Sequence, residues 1–498
     1  VREREAKLGA GPAFAMPDLS GVIDGLTATA TPERNLDAVY YDTPDLRLAR
    51  RGITLRHRSG DGEGWTVKLP APDEAAGPAL VRNELHFSGA RKSGVPAAAL
   101  DLVRSHVRTS PFGSVARLRT RRTPVELRDD EGRRVAEVVD DEVSVLTGRR
   151  VAARFREVEV ELDESAPQVL LDRIVRRLRD AGAGEPDHTP KLVRALGWQA
   201  TRPPEPEPVE LGEDAMVSAV VREAIVSAVT RILHHDPGVR LGDDAEDVHQ
   251  ARVGTRRLRS DLRTFRSLIE PDWLANTRTE LKWLGNEFGA VRDADVLLER
   301  LERQASELSS RDTRGVASLV RHLNVERDLA RIALLEAMRS ERYTALLDGL
   351  IAAADAVPVI PEDDKPARDV LPALVGGPWT HLKRAVESLD RDPADEALHQ
   401  VRIRAKRARY AAEAAAPVVG KPARVFAKAV ADLQTVLGDH QDAVVAEDWL
   451  RRVDGSRSVT LVAGQLIARQ QAEAAAMRQA WPAVWKQADA KKLRAWLV

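Results

Sequence analysis

The chain has no cysteine in its 498 residues, which excludes disulfides, cysteine nucleophiles, iron–sulfur clusters and thiolate zinc sites. It also lacks any run of about 18 uninterrupted apolar residues, the length a membrane-spanning helix needs. The opening VREREAKLGA is too charged for the apolar core of a signal peptide, and cytoplasm is the expected compartment. Net charge is nearly absent too, with 76 Lys+Arg against 77 Asp+Glu. Lysine is scarce among the bases, 13 against 63 arginines, and arginine is the residue that grips phosphate through two parallel hydrogen bonds.

What is present divides into two halves. Residues 201–213, TRPPEPEPVELGE, concentrate proline and acid and read as an extended linker. Before it, segments at 3–8, 52–58, 65–69, 82–87, 115–121, 135–145 and 155–162 alternate with period two and are separated by Gly, Pro and Asp, the pattern of an antiparallel meander. Residues 168–181 are instead amphipathic at helical spacing. After the linker, apolar residues recur at three- and four-residue steps, with breaks expected at Pro237-Gly238, Gly242, Pro271, Pro358 to Pro361, Pro393 and Pro417. The expected organisation is α+β and multidomain: a mostly β domain over 1–200 and an all-α bundle over 214–498.

The helical half repeats itself. VHQARVGTRRLRS at 248–260 returns as LHQVRIRAKRARY at 398–410, and GAVRD at 289–293 as GDHQD at 438–442. The offsets, 150 and 149 residues, agree closely enough to predict two copies of one helical unit, about 214–350 and 366–498.

In the strands, residues two apart share a face. Glu3, Glu5 and Lys7 therefore point one way, as do Arg56 with Arg58, Arg119 with Arg121, Glu137 with Asp141, and Glu157 with Glu159 and Glu161. Lys68, Arg82 and Glu84 add charge on further strands. Solvated sheet faces usually mix signs; here several strands offer one sign only, while Ile53, Leu55, Val158, Val160 and Leu162 leave apolar groups for the other face. A barrel with the charged face inward would hold acids enough for a divalent cation and bases enough for a polyanion. No Ser-His arrangement stands at a persuasive position. His57 alternates with Arg56 and Arg58 onto the other face, and Trp65 reads as packing.

EREAK at 3–7 is similar to the ExExK signature of the CYTH, or triphosphate tunnel metalloenzyme, family. RHR at 56–58, the lysine of WTVKL, the RTRR stretch, AEVVDDEV, FREVEVEL and the lysine of HTPKLVRAL follow in the family's order, over about residues 1–198. The resemblance implies an eight-stranded antiparallel tunnel with flanking helices that hydrolyses a phosphoanhydride of a triphosphate with Mg²⁺ or Mn²⁺. It implies metal-side acids among Glu3, Glu5, Glu137, Asp141, Glu157, Glu159 and Glu161, with Glu3, Glu5 and Lys7 nearest the chemistry. Phosphate contacts would come from Lys7, Arg56, Arg58, Lys68, Arg82, Arg119, Arg121 and Lys191. Inorganic triphosphate is the expected substrate; cyclisation of ATP, hydrolysis of thiamine triphosphate, or a catalytically silent tunnel remain as alternatives.

On a helix, His249, Arg252, Arg256, Arg259 and Arg263 fall along one stripe, and His399, Arg402, Lys406 and Arg409 repeat it. Like charges at this spacing repel, so two such stripes predict a surface for a long polyanion. No aromatics interleave with them as single-strand stacking would need, and the isoelectric point is near 6.9; specific nucleic acid is not expected. This half resembles the CHAD domain, the conserved-histidine α-helical domain, which implies binding of inorganic polyphosphate by these residues with Lys282 and Arg292, and an association with polyphosphate granules. The second copy has Gln441 where the first has Arg292, so the copies are not equivalent.

Overall fold

In the computed structural model, which describes residues 2–71, 80–163 and 165–497 (residues 2, 3 and 80 by backbone alone), the first half forms nine strands among the described residues. They are β1 (Arg2–Gly9), β2 (Thr27–Ala30), β3 (Arg34–Asp42), β4 (Thr54–Ser59), β5 (Gly64–Pro70), β6 (Leu80–Phe87), β7 (Gly113–Arg128), β8 (Arg134–Thr147) and β9 (Arg150–Leu162). Eight of them close an antiparallel barrel in the order β7-β3-β4-β5-β6-β1-β9-β8 and back to β7. The short β2 pairs with β7 beyond the end of β3.

Closure sorts the alternating side chains. Outward-facing Ala6, Leu8, Ala136, Val138, Val158 and Val160 are covered by Leu170, Leu171, Ile174 and Leu178 of α2 (Gln168–Asp180). α1 (Ala97–Val107) lies between β6 and β7 in the chain. The six-residue α3 (Lys191–Leu196) works on the inner face: Leu192 and Val193 pack on Ala38, Tyr40, Leu118 and Val143 and fill one end of the barrel. Its first residue, Lys191, is thereby set inside the lumen.

The chain divides into two compact units between Glu205 and Pro206, within the segment read as a linker. The first residues of that segment are held by the N-terminal unit. The Pro203 carbonyl accepts from Arg50 at 2.8 Å, and the Glu205 carboxylate accepts from Arg108 at 3.0 Å. Val209 and Leu211 pack instead on the helical core.

The second unit contains α4 (Val217–Leu241), α5 (Ala245–Thr264), α6 (Pro271–Ala305), α7 (Thr313–Arg339), α8 (Glu341–Asp355), α9 (Ala367–Glu387), α10 (Asp395–Val419), α11 (Lys421–Arg452) and α12 (Arg457–Ala488). The breaks expected at Pro237-Gly238 and Pro417 do not occur. α4 runs through Pro237, its last turns held by the buried Asp236–Arg240 pair at 2.7 Å and by Val239 in the core, and α10 carries Pro417 in its final turn. The repeat sets where three helices start: α4 and α9, α5 and α10, and α6 and α11 each begin 150 residues apart, with a one-residue slip before the GAVRD and GDHQD motifs of α6 and α11. Equivalent residues also exchange equivalent bonds. Val217 N donates to Lys365 O at 3.0 Å and Ala367 N donates to Ala215 O at 2.9 Å, around a bridge between Met216 and Pro366. The two copies thus meet about a local two-fold axis.

Candidate functional site

The inner barrel wall encloses a cavity of about 270 Å³. Each strand contributes by alternation: Glu5 and Lys7 from β1, Arg56 and Arg58 from β4, Lys68 from β5, and Arg82 and Glu84 from β6. Arg122 of β7, Glu137 of β8, and Glu159 and Glu161 of β9 complete the wall, and Lys191 projects from α3. Arg34, Tyr40 and Arg134 also line it; sequence reasoning missed the first two because the pattern over 34–42 was not read as a strand, and Arg134 because it precedes the segment read over 135–145.

Burying so many charges is tolerable only because they pair. Lys7 Nζ lies 2.7 Å from Glu159 and 3.4 Å from Glu5, and Arg82 donates to Glu5. Burial pushes the Glu5 carboxyl up, but Lys7, Arg82 and Lys68 outweigh it and hold the pKa at about 2. Glu84 is held at about 2 against the same desolvation, by Lys68 at 2.9 Å and by Arg56. Lys191 Nζ reaches Glu159 at 2.8 Å and also meets Asp141, and Arg122 donates to Asp141 at 2.7 and 2.9 Å and to Glu159 at 3.1 Å. Desolvation opposes charge on Lys191 and on Arg122, yet these carboxylates raise both pKa values well above the ordinary range.

One end of the wall is different. Glu161 stands directly across from Glu5 on β1 and from Glu137 on β8, a row of three carboxylates on adjacent strands where like charges ordinarily destabilise a sheet. Desolvation, aided by Glu84, Glu5 and Glu137 and opposed by Lys68, raises the Glu161 pKa. Carboxylate oxygens in this arrangement are the donor type that Mg²⁺ and Mn²⁺ take. Among the described residues, no three acids or histidines are drawn together closely enough to form a ready-made cage, in keeping with a cation that completes its shell with phosphate oxygens and water. The Glu3 side chain lies outside the described residues; its backbone is paired across from Arg82.

Several expected positions are corrected. Arg119 and Arg121 point outward, half-exposed, to Asp37 at 3.7 Å and Glu142 at 2.5 Å. Leu118, Thr120 and Arg122 hold the inner face of β7, because Arg122 pairs across from Asp141 and Leu118 packs beneath α3. Asp141 and Glu157, fully buried, sit behind the cavity; Glu157 meets Lys191 at 3.4 Å and Arg194 at 3.2 Å. His57 and Trp65 are on the outer face, ring centroids 5.1 Å apart.

In the helical unit, α5 and α10 pack side by side. Arg252 lies against Gly289 and 3.0 Å from Asp293; in the other copy Arg402 lies against Gly438 and 3.8 Å from Asp442. Between these pairs, burial together with Arg402, Arg256 and Arg252 lowers the Lys406 pKa to about 7 despite Asp442. His249 shares this electropositive region, its pKa lowered by burial, Arg292, Arg256 and Arg252. His399 is part-buried, with no partner for its Nδ1. Arg409 pairs with Glu413 at 2.6 Å. Lys282 is exposed on α6, one turn before Gly285. The α5 stripe does not stay together: Arg259 neighbours Arg278, and Arg263 neighbours Arg407, Arg278 and Arg266 rather than Arg402 and Lys406.

Comparison with known proteins places both units. The CYTH domain family matches residues 2–192 and the CHAD domain family residues 223–451. Two uncharacterised proteins of Mycobacterium tuberculosis are each 35% identical over 484 residues, covering 90% of this chain and 88% of theirs. Among solved structures, the CHAD domain from Ricinus communis is similar at 29% identity with a TM-score of 0.46, over 58% of this chain and 97% of its own. PptA from Streptomyces chartreusis is similar at 25% identity with a TM-score of 0.46, over 55% of this chain and 100% of its own.

Proposed function

We propose that this chain, which belongs to the CYTH family through its N-terminal unit and to the CHAD family through its C-terminal one, is a metal-dependent inorganic triphosphatase joined to a polyphosphate-binding domain. CYTH proteins are triphosphate tunnel enzymes, some of them triphosphatases. The observation that carries the reading is the division of charge in the lumen: a row of three carboxylates, Glu5, Glu161 and Glu137, beside a wall of bases on β1, β4, β5, β6, β7 and α3.

The bases are already charged and already held. Lys7, Lys191 and Arg122 share Glu159, and Lys68 and Arg56 share Glu84. An entering triphosphate offers oxygens in place of these carboxylates, so the cations bind it without first being stripped of water. Arg56, Arg58, Lys68 and Arg82 hold one end of the chain of phosphates, and Lys7, Arg122 and Lys191 the other. Glu5, Glu161 and Glu137 would hold Mg²⁺ or Mn²⁺; when bound, the cation polarises phosphoryl oxygen and activates water. Guanidinium and ammonium groups then stabilise charge gathering on the leaving phosphate.

In the helical unit, Arg252, Arg256, Arg402 and Lys406, with His249, His399 and Arg292, form the surface for polyphosphate. Its support is the lowering of Lys406 and of Arg256 by burial and by neighbouring arginines, Arg402 and Arg252 acting on both; an added polyanion relieves the repulsion.

Phosphate release from tripolyphosphate, measured on the full chain with Mg²⁺, Mn²⁺ or EDTA, tests the tunnel. Metal-dependent release that disappears in Glu5→Gln is expected; metal-independent or absent release overturns the assignment. A second reading, a silent anion-binding barrel, is favoured by the ion-paired state of most lumen acids, and absent release with retained tripolyphosphate binding would select it.

A further inference from the structure

Beside the polyphosphate surface, a second cavity of about 340 Å³ opens between α5, α9 and α10. Arg263 and Arg266 come from α5 and the residues just after it, Arg404 and Arg407 from α10, and His381 from α9. Among the described residues no carboxylate lines it. Its floor is apolar, with Leu374, Gly377 and Pro378. Since two residues turn a helix by about 200°, Arg404 leaves α10 on the side away from Arg402 and Lys406.

The local two-fold supplies a control inside the same molecule. Moved by 150 residues, most of the lining positions of this cavity, Thr264 and Arg266 excepted, become those of another one, between α10, α4 and α5. There the counterpart of Arg407 is Arg257, and it is neutralised: it donates to Asp261 at 3.0 Å and to Glu413, with Glu223 nearby. The three acids have been replaced in the first cavity. Asp261 corresponds to Ala411, Glu223 to Ala373, and Glu413 to Arg263. One copy therefore carries its own counter-charge. The other has exchanged an acid for a base, leaving Arg263 facing Arg407 with burial and like neighbours acting against both.

From this broken symmetry we infer that the cavity between α5, α9 and α10 binds a compact phosphoryl anion, inorganic or carried as a phosphate monoester, at a site separate from the polyphosphate surface. Four guanidiniums without a carboxylate match a multiply charged phosphoryl group. The volume suits a small anion and a modest apolar body rather than an extended chain.

The test transplants the neutralising acids. The double variant Arg263→Glu with Ala411→Asp recreates the pairs seen around Arg257, so it should melt no lower than the wild type. Equilibrium binding of radiolabelled pyrophosphate and of AMP to full-length protein then counts sites in both. The expected result is one bound equivalent lost in the double variant, with that equivalent weakened by about tenfold or more in Arg407→Ala. Loss of a pyrophosphate equivalent alone identifies an inorganic ligand, and loss of an AMP equivalent identifies a phosphate ester. Tripolyphosphate turnover and long-chain polyphosphate affinity should stay unchanged. Equal stoichiometry in wild type and variant overturns the proposal, as does a parallel loss of long-chain affinity, which would make the cavity part of the polyphosphate surface. Arg407 is exposed, so its single variant tests the site should the double variant fail to fold.

Discussion

Lys191 Nζ lies 2.8 Å from a Glu159 carboxylate oxygen while contacting Asp141 with the same ammonium. A residue from a six-residue helix thus neutralises two strands of the barrel. Replacing it with methionine keeps the stem and removes the charge. The fold should lose about 3–5 kcal/mol, the cost of stranding buried partners, and tripolyphosphate turnover should disappear. Adding Glu159→Gln should recover part of the stability in urea titration and none of the turnover. Recovery of both would reduce Lys191 to a structural pin.

Arg121 and Arg122 are adjacent in sequence and face opposite ways, Arg121 out to Glu142 and Arg122 in to Asp141 and Glu159. Arg122→Ala should cut kcat/KM for tripolyphosphate by about ten- to a hundredfold, the worth of a charged hydrogen bond. Arg121→Ala should change it by less than about twofold, because an exposed pair contributes little. Equal effects would place the substrate elsewhere.

That contrast also marks how far the sequence could be read. On β1, β4 and β9 the charged residues of the inner set keep a single parity along each strand, from Glu5 and Lys7 to Glu159 and Glu161, so that set was visible from spacing. On β7 the bases Arg117, Arg119, Arg121 and Arg122 occupy both parities; only pairing with Asp141 and the packing of α3 on Leu118 decide the face. The duplicated helices were equally legible from their constant offset. Which neighbours Arg263 would meet was not, because a helical stripe gives direction along one helix and no information about the next. Nor could spacing show that most lumen acids already have cationic partners, a property that arises only when the barrel closes.

Glu161, facing Glu5 and Glu137, has its pKa raised. The folded protein therefore holds this proton to higher pH than the unfolded chain does. Without metal, stability should fall as pH rises from the ordinary glutamate value of 4.5 toward the raised pKa, and Mn²⁺ should reverse that loss because it binds the ionised form. Glu161→Gln removes a like charge. It should flatten the pH dependence of melting while raising the Mn²⁺ concentration for half-maximal turnover by about tenfold. An unchanged Mn²⁺ requirement would remove Glu161 from the metal set.

Lys406 titrates at about 7 because burial and the positive groups of Arg402, Arg256 and Arg252 outweigh Asp442. Below pH 7 the amine is charged and ready for an anion. Above it the free protein is neutral at this position, and a bound polyphosphate must draw a proton in. The contribution of Lys406 to affinity should therefore be flat on the acid side and fall above pH 7, by at most about tenfold per pH unit for one proton. Calorimetry in buffers of different ionisation enthalpy should register proton uptake near pH 8. Lys406→Arg, permanently charged, should abolish both the slope and the uptake. A wild-type affinity independent of pH from 6 to 9 would show that polyphosphate does not approach Lys406, and would move the contact toward Arg252 and Arg402 at the edges of the cluster.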